Sequence, residues 1–347
     1  MNILADAGAA GPVEREVVMT HLTFAEAIIV GLIQGTTELF PVSSLGHNVL
    51  IPAIIGGSWA QDLNVSRAES PYLAFVVGLH VATAIGITVY FWRDWVRIIG
   101  GFFSSIARRE VKTPDQKLAW MIVLATIPVG LVGLKFEHEF RVIFGVPTRA
   151  AIFLILNGII LFAGERFRTR KSRQADEQVL REREEESAPV GAGRIGGAHS
   201  SGQRALRQQE IATAVQADRR ITSFSYLQAV VIGSAQILAL LAGISRDGVT
   251  MVAGMFRGLS REDAARFAFL LATPVILAAG VLKIPDLLGP LGNGVRPQIL
   301  AGSIVSGIAA YLSVRFLMKY FQTRTLTPFA IYCLVFGTAS LVYLTVK

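Results

Sequence analysis

Residues 23–55 read TFAEAIIVGLIQGTTELFPVSSLGHNVLIPAII. Up to Phe40 this segment has the composition of a membrane helix, yet it carries Gln34 and Glu38 and is stopped by Pro41, whose ring cannot continue a helix. The apolar piece that follows, residues 47–55, is too short to cross about 30 Å of hydrocarbon. A helix, a break and a half-helix predict a re-entrant hairpin. Irregular backbone at membrane depth is tolerated only where protein or a wet cavity surrounds it, so the hairpin is expected to line a site. Residues 224–255 repeat the pattern, interrupted at 243–248.

The remainder of the chain is membrane material. Of 347 residues, 52% are hydrophobic and 17% charged, and the mean hydropathy is +0.51; no soluble core hides that much apolar surface. Apolar runs at 72–92, 117–135, 149–165, 264–283, 298–318 and 328–346 are each long enough to span as helices, which predicts six full spans. The net charge of +8 does not mark a nucleic-acid-binding domain, because the basic residues sit in connections. Arg93, Arg97, Arg108, Arg109, Lys112 and Lys117 lie in 93–117, and Arg166, Arg168, Arg170, Lys171 and Arg173 follow the third span. The positive-inside rule makes these loops cytoplasmic, puts the weakly basic 136–148 and 284–297 on the other side, and leaves both termini outside.

The stretch up to His21 carries Glu14, Arg15 and Glu16 without a compact apolar run, so it does not read as a secretory signal. The lone Cys333 excludes an intrachain disulfide framework and a multi-cysteine metal site. Residues 166–222 are charged with both signs and include a Gly/Ser/Ala-rich run at 191–202. They read as a solvated cytoplasmic linker, partly helical around 177–186.

The two interrupted segments align at an offset of 202: Ala27, Gly31, Gln34, Leu39, Ser43 and Gly46 face Ala229, Gly233, Gln236, Leu241, Ser245 and Gly248. The segments after them also correspond, residues 74–84 beside 268–278, and three spans complete each half. Three intervening spans put the second hairpin on the opposite side from the first. The expected fold is therefore an all-α integral membrane protein with an inverted-topology repeat, six transmembrane helices plus two re-entrant helical hairpins. The divisions are a tail at 1–22, a first repeat at 23–165, the linker at 166–222 and a second repeat at 223–347.

The breaks carry the chemistry. Gln34 and Glu38, four apart, share a helical face, and Ser43, Ser44, Gly46 and His47 follow at the turn. The second break offers Ser245, Arg246, Asp247 and Thr250. A serine at each break is placed to cap the half-helix that follows, and the free N–H groups of such an end favour an anion. Arg246 adds a guanidinium whose fork suits phosphate oxygens. Carboxylate, imidazole, hydroxyl and guanidinium together make a set for phosphoryl transfer. As bland readings, Ser43 would be a cap only, Gln236 glue between helices, and Glu38 a structural hydrogen bonder, although ionisable groups inside a membrane are functional by default.

At these residues the chain resembles the undecaprenyl-diphosphatases, also called bacitracin-resistance proteins. Their first signature, Glu or Gln, a second Glu, then Pro-Val-Ser-Ser-x-Gly-His, stands here as Gln34, Glu38, Pro41-Val42-Ser43-Ser44-Leu45-Gly46-His47. Their second, Pro-Gly-x-Ser-Arg-Ser-x-x-Thr, stands as Ala242-Gly243-Ile244-Ser245-Arg246-Asp247-Gly248-Val249-Thr250, and the likeness continues through Ser260-Arg261-Glu262-Asp263-Ala264-Ala265. The resemblance covers nearly all the chain except the tail and the linker. It implies hydrolysis of undecaprenyl pyrophosphate to undecaprenyl phosphate and inorganic phosphate in the bacterial plasma membrane, recycling the carrier lipid for peptidoglycan and conferring bacitracin resistance.

It also implies a divalent metal, magnesium or calcium, on Glu38 with Gln34. Glu38, His47, Ser44 and Arg246 become catalytic candidates, and Ser43, Ser245, Thr250 and Gln34 bind substrate. Whether Ser44, His47 or water attacks is left open. The partners expected are the polyprenyl pyrophosphate lipid and the bilayer, with room for a homo-oligomer and no nucleic acid. The chain departs from the pattern at Gln34, Ala242 and Asp247, and at His80, where the family commonly carries a glutamine and where a bond to a helix carbonyl would be explanation enough. The rival reading is a polyprenyl-phosphate flippase or transporter, which needs Arg246 and the helix ends but not Glu38 and His47 as chemical groups. Phosphatases of the phosphatidic-acid type are disfavoured, since no histidine follows Ser245-Arg246 within that motif's reach.

Overall fold

The computed structural model describes residues 22–63, 71–167, 216–288 and 294–347, and every regular element among them is helical. The chain runs α1 (Phe24–Thr37), α2 (Ser44–Ile55), α3 (Gly57–Asp62), α4 (Pro71–Tyr90), α5 (Trp92–Arg108), α6 (Pro114–Phe144) and α7 (Pro147–Arg166). After a short helical segment at 216–221 come α8 (Tyr226–Ser234), a 3-10 stretch (Ala235–Leu240), α9 (Arg246–Phe256), α10 (Arg261–Leu288), α11 (Arg296–Tyr320) and α12 (Thr327–Val346). The N-terminal tail and the linker runs at 177–186 and 191–202 lie outside the described residues.

Among the described residues five helices are long and apolar enough to cross a membrane: Pro114–Phe136, Pro147–Arg166, Arg261–Leu282, Arg296–Tyr320 and Thr327–Val346. Phe75–Tyr90 and Trp92–Arg108, which meet at 87°, pass the same test together and bring the number to six when counted as one broken span. The chain is thus a multi-pass, all-helical membrane protein. The bend at Phe91 departs from the sequence reading, which took 93–117 as a loop. Most of it is α5, whose buried Asp94, Ile98, Gly101 and Ser105 turn inward while Val96, Ile99, Phe103 and Ile106 are exposed. That amphipathic period packs one face of α5 on α6.

Both interrupted segments start alike. The Thr23 hydroxyl accepts the Glu26 N–H at 3.2 Å while the Glu26 carboxylate accepts the Thr23 N–H at 2.8 Å. Ser225 and Gln228 make the same reciprocal pair at 3.2 and 2.8 Å, so each segment opens on a capping box at the repeat offset. The equivalent glycines Gly31 and Gly233 both mark helix crossings. A Cβ on Gly31 would stand 2.3 Å from the Gly302 carbonyl oxygen, and one on Gly233 2.2 Å from that of Ala125. Small residues let membrane helices approach this closely.

Packing exchanges elements between the halves. α1 lies on α11 and α8 on α6, while α4 packs on α11 and α10, and α7 packs on α12. At one end of the bundle a buried ionic network ties four segments. Arg97 reaches Asp94 at 2.5 Å, Asp115 at 2.9 Å and Asp218 at 2.9 Å, and Arg266 reaches Asp94 at 3.0 Å and Asp218 at 2.9 Å. Asp218 and Ile221 are fully buried, so the last residues of the segment read as a solvated linker belong to the folded body.

Candidate active site

The first break follows α1. Helical hydrogen bonding persists to Glu38 and Phe40, then Pro41 stops it and Ser43 takes φ +68°, in the left-handed region. A non-glycine residue held there costs about 1–3 kcal/mol and persists only where its surroundings over-determine it. Here they do. The Ser43 carbonyl accepts from the His47 N–H at 3.2 Å and faces His47 Nδ1 at 2.7 Å. Its hydroxyl oxygen accepts the Gly46 N–H at 3.2 Å, capping α2, and the Gly243 N–H at 3.2 Å from the second break. The second break is built in parallel: Gly243 sits at φ +114°, and the Ser245 hydroxyl accepts the Gly248 N–H at 3.1 Å, capping α9. Both serines are therefore the caps that their positions suggested.

One side chain on a third helix joins the breaks. Asn157, fully buried on α7, donates through Nδ2 to the Pro41 carbonyl at 2.9 Å and accepts the Ser245 N–H on Oδ1 at 3.0 Å. Sequence reading passed over it. Its signal was available: an amide stands alone in the otherwise apolar 150–163, and polar groups inside spans seek partners.

What the breaks bring together is centred on Glu38. Its Oε1 accepts from Arg246 Nη2 at 2.5 Å, although the two residues are 208 positions apart. Its Oε2 accepts from Gln34 Nε2 at 2.8 Å and from the Ser44 hydroxyl, and stands 3.2 Å from His80 Nε2 on α4. Gln34 is held in turn by Asn48, whose Nδ2 donates to Oε1 at 2.7 Å. Four of the predicted residues, Gln34, Glu38, Ser44 and Arg246, thus form one cluster, with His80 as a fifth member.

Two others stand apart from that carboxylate. Thr250 donates its hydroxyl to the Arg246 carbonyl at 2.7 Å, inside its own helix. His47 turns toward α12: its Nε2 lies 2.7 Å from the Tyr332 hydroxyl, and its ring stacks on Tyr332 and Phe336 at 5.6 and 5.2 Å between centroids. Tyr332 carries no signal that would have singled it out in its span. Asp247 is fully buried, with neither carboxylate oxygen hydrogen-bonded and Oδ1 3.7 Å from Arg246 Nε.

The residues present do not fit a resident divalent ion. Among the described residues no group of three or more His, Cys, Asp and Glu side chains could hold a metal. The oxygens of Glu38 and Gln34 face hydrogen-bond donors, and the guanidinium at Glu38 places positive charge where a cation would have to stand.

Chemically, the cluster sets a hydroxyl against a carboxylate beside a guanidinium and two capped helix starts, a geometry able to activate a nucleophile and hold an anion. Comparison with known proteins points the same way. The profile of the bacitracin resistance protein BacA family matches residues 27–339. The undecaprenyl-diphosphatase of Mycolicibacterium paratuberculosis is 57% identical over 327 residues, covering 94% of this chain and 99% of that protein. Undecaprenyl-diphosphatase 2 of Frankia alni is 51% identical over 339 residues, 92% of this chain and 97% of that one. Undecaprenyl-diphosphatase 2 of Chromobacterium violaceum is 37% identical over 323 residues, 92% and 98%.

Proposed function

The chain belongs to the bacitracin resistance protein BacA family, and from that premise we propose that it hydrolyses undecaprenyl pyrophosphate to undecaprenyl phosphate and inorganic phosphate. This activity returns the carrier lipid to cell-wall polymer synthesis. The observation that carries it is the meeting at Glu38 of Ser44 from one break and Arg246 from the other. A flippase or transporter without hydrolysis is not favoured, since it has no use for a hydroxyl aimed at a carboxylate.

In our reading Ser44 is the nucleophile. Its Oγ attacks the terminal phosphorus while Glu38 takes the proton; the bond from that phosphorus to the bridging oxygen breaks, and the proton passes to the departing lipid phosphate. Water then attacks the phosphoserine, giving its proton through Glu38 to the Ser44 oxygen and releasing inorganic phosphate. Arg246 and the N–H groups at the starts of α2 and α9 balance charge on the phosphoryl oxygens. His47 holds the left-handed Ser43 that starts α2, which is support for Ser44 rather than attack on phosphorus. Magnesium or calcium is given no step; we assign any such ion to the diphosphate, whose oxygens would be its ligands.

We further infer that 23–165 and 223–347 are inverted repeats, that their hairpins are re-entrant, that the long linker is cytoplasmic and that the membrane is the bacterial plasma membrane. The matched capping boxes and the exchange of α1 onto α11 and α8 onto α6 support the repeat. The test is phosphate release by purified protein in detergent, with and without chelator, beside Glu38→Ala, Ser44→Ala and Arg246→Ala. Loss of release in all three folded variants, and label on Ser44 after quenching with terminally labelled substrate, is expected. Full activity of Ser44→Ala would refute serine attack, and no release by folded wild type would refute the enzyme.

A further inference from the structure

His80 lies outside both signature motifs, yet it points at the centre of the cluster. Its Nδ1 faces the Val76 carbonyl at 2.8 Å and its Nε2 faces Glu38 Oε2 at 3.2 Å. A carbonyl and a carboxylate only accept, so both ring nitrogens act as donors. The bond to Val76, one turn back on α4, fixes the ring and aims Nε2–H into the site.

Glu38 therefore sits among Gln34 Nε2, Ser44 Oγ, Arg246 Nη2 and His80 Nε2. Donors converging in this way form a receptor for oxygen anions, and the carboxylate occupies it. Gln34 and Ser44 come from the hairpin that carries Glu38, whereas Arg246 and His80 arrive from other helices. These two are also the more accessible: the side chain of His80 is 25% exposed and that of Arg246 15%, against 5% for Glu38.

We propose that His80 is a substrate-contacting residue, whose Nε2–H turns from Glu38 to a non-bridging oxygen of the terminal phosphate and acts beside Arg246 as the second arm of the anion clamp. The inference rests on the diphosphatase reading. It also gives Glu38 a place-holding part before substrate arrives, covering the Arg246 and His80 donors that the diphosphate takes over while keeping its contact with Ser44.

The test uses full-length protein in detergent, with inorganic pyrophosphate as the probe in calorimetric titration and lipid turnover measured in parallel. His80→Leu, without a donor, is expected to weaken pyrophosphate binding roughly ten- to hundred-fold, in line with loss of a charge-assisted hydrogen bond. His80→Gln, which keeps an N–H, is expected to weaken it less, about three- to ten-fold, with KM rising more than kcat falls. Should His80→Leu fail to fold, unchanged binding in His80→Gln still overturns the proposal. Unchanged pyrophosphate affinity with a fallen kcat would make His80 a mere support for Glu38 and overturn it too. Wild type that binds pyrophosphate in a His80-dependent way but releases no phosphate from lipid would refute the diphosphatase reading and leave the clamp standing.

Discussion

Replacing Asn157 by leucine keeps the branched outline of the side chain and removes its polar atoms. The Ser245 N–H and the Pro41 carbonyl then lose partners at 3.0 and 2.9 Å in a fully buried place. Each orphaned group costs about 1–3 kcal/mol. The Pro41 carbonyl keeps a weak contact with the Cys333 thiol at 3.9 Å, and helices unfolded in detergent also find partners, so the lower part of the range applies. The sum is about 2–4 kcal/mol, and at 2–4 °C per kcal/mol for a chain of this size it lowers Tm by roughly 5–15 °C. Because the two breaks also lose their common anchor, Ser44 and Arg246 shift relative to each other. A displacement near 1 Å costs about 100-fold in rate. Thermal unfolding in detergent and phosphate release measure the two effects separately, with the lipid-facing Leu156→Ala on the same helix as control. Asn157→Leu with Tm within about 2 °C of wild type, well under that expected loss, and undiminished release would refute the reasoning.

Gly31→Ala puts a Cβ 2.3 Å from the Gly302 carbonyl oxygen, a backbone atom that cannot swing away. It is expected to force α1 off α11 at a cost of about 1–3 kcal/mol or more, read as reduced Tm and reduced activity together; unchanged values would mean the crossing is looser than described. Arg266→Met removes a cation that is only 5% exposed and holds Asp94 and Asp218 at 3.0 and 2.9 Å. Leaving these carboxylates to Arg97 alone is expected to destabilise by about 3–5 kcal/mol, whereas the lipid-facing Leu131→Ala stays near wild type in the same thermal assay.

Several features of this fold follow from single residues. Pro41 ends helical hydrogen bonding where its ring requires, and the serines at 43 and 245 cap the helices their spacing foretold, because capping depends on three or four consecutive residues. Glu38 and Arg246 could be assigned to one centre in advance only because the expected repeat put the two breaks together. Tyr332 was illegible for the opposite reason: it acts across helices far apart in sequence, and nothing nearby distinguishes it from packing, whereas Asn157 was legible as a lone amide in its span but its partners were not. His80 was half visible. Its bond to Val76 is the helix-carbonyl contact expected of it, while its second nitrogen serves a partner that only the tertiary fold supplies. The bend at Phe91 was hidden because Arg93, Asp94 and Arg97 read as loop charges, yet Asp94 and Arg97 are joined in a buried network, and the turn lets the chain continue as helix.

The join between the breaks bears on how the molecule can move. Membrane proteins with paired half-helices commonly work by rocking one bundle against the other. Here Asn157 grips Pro41 and Ser245 at once, Ser43 takes the Gly243 N–H, and a Cβ on Gly46 would lie 2.9 Å from the Gly243 Cα. Parting the halves at this point would break the two bonds that join them, Ser245 to Asn157 and Gly243 to Ser43, together in a buried place. The centre therefore acts as a rivet, which confines any flexing of the bundle to its rim while the headgroup is processed where it docks.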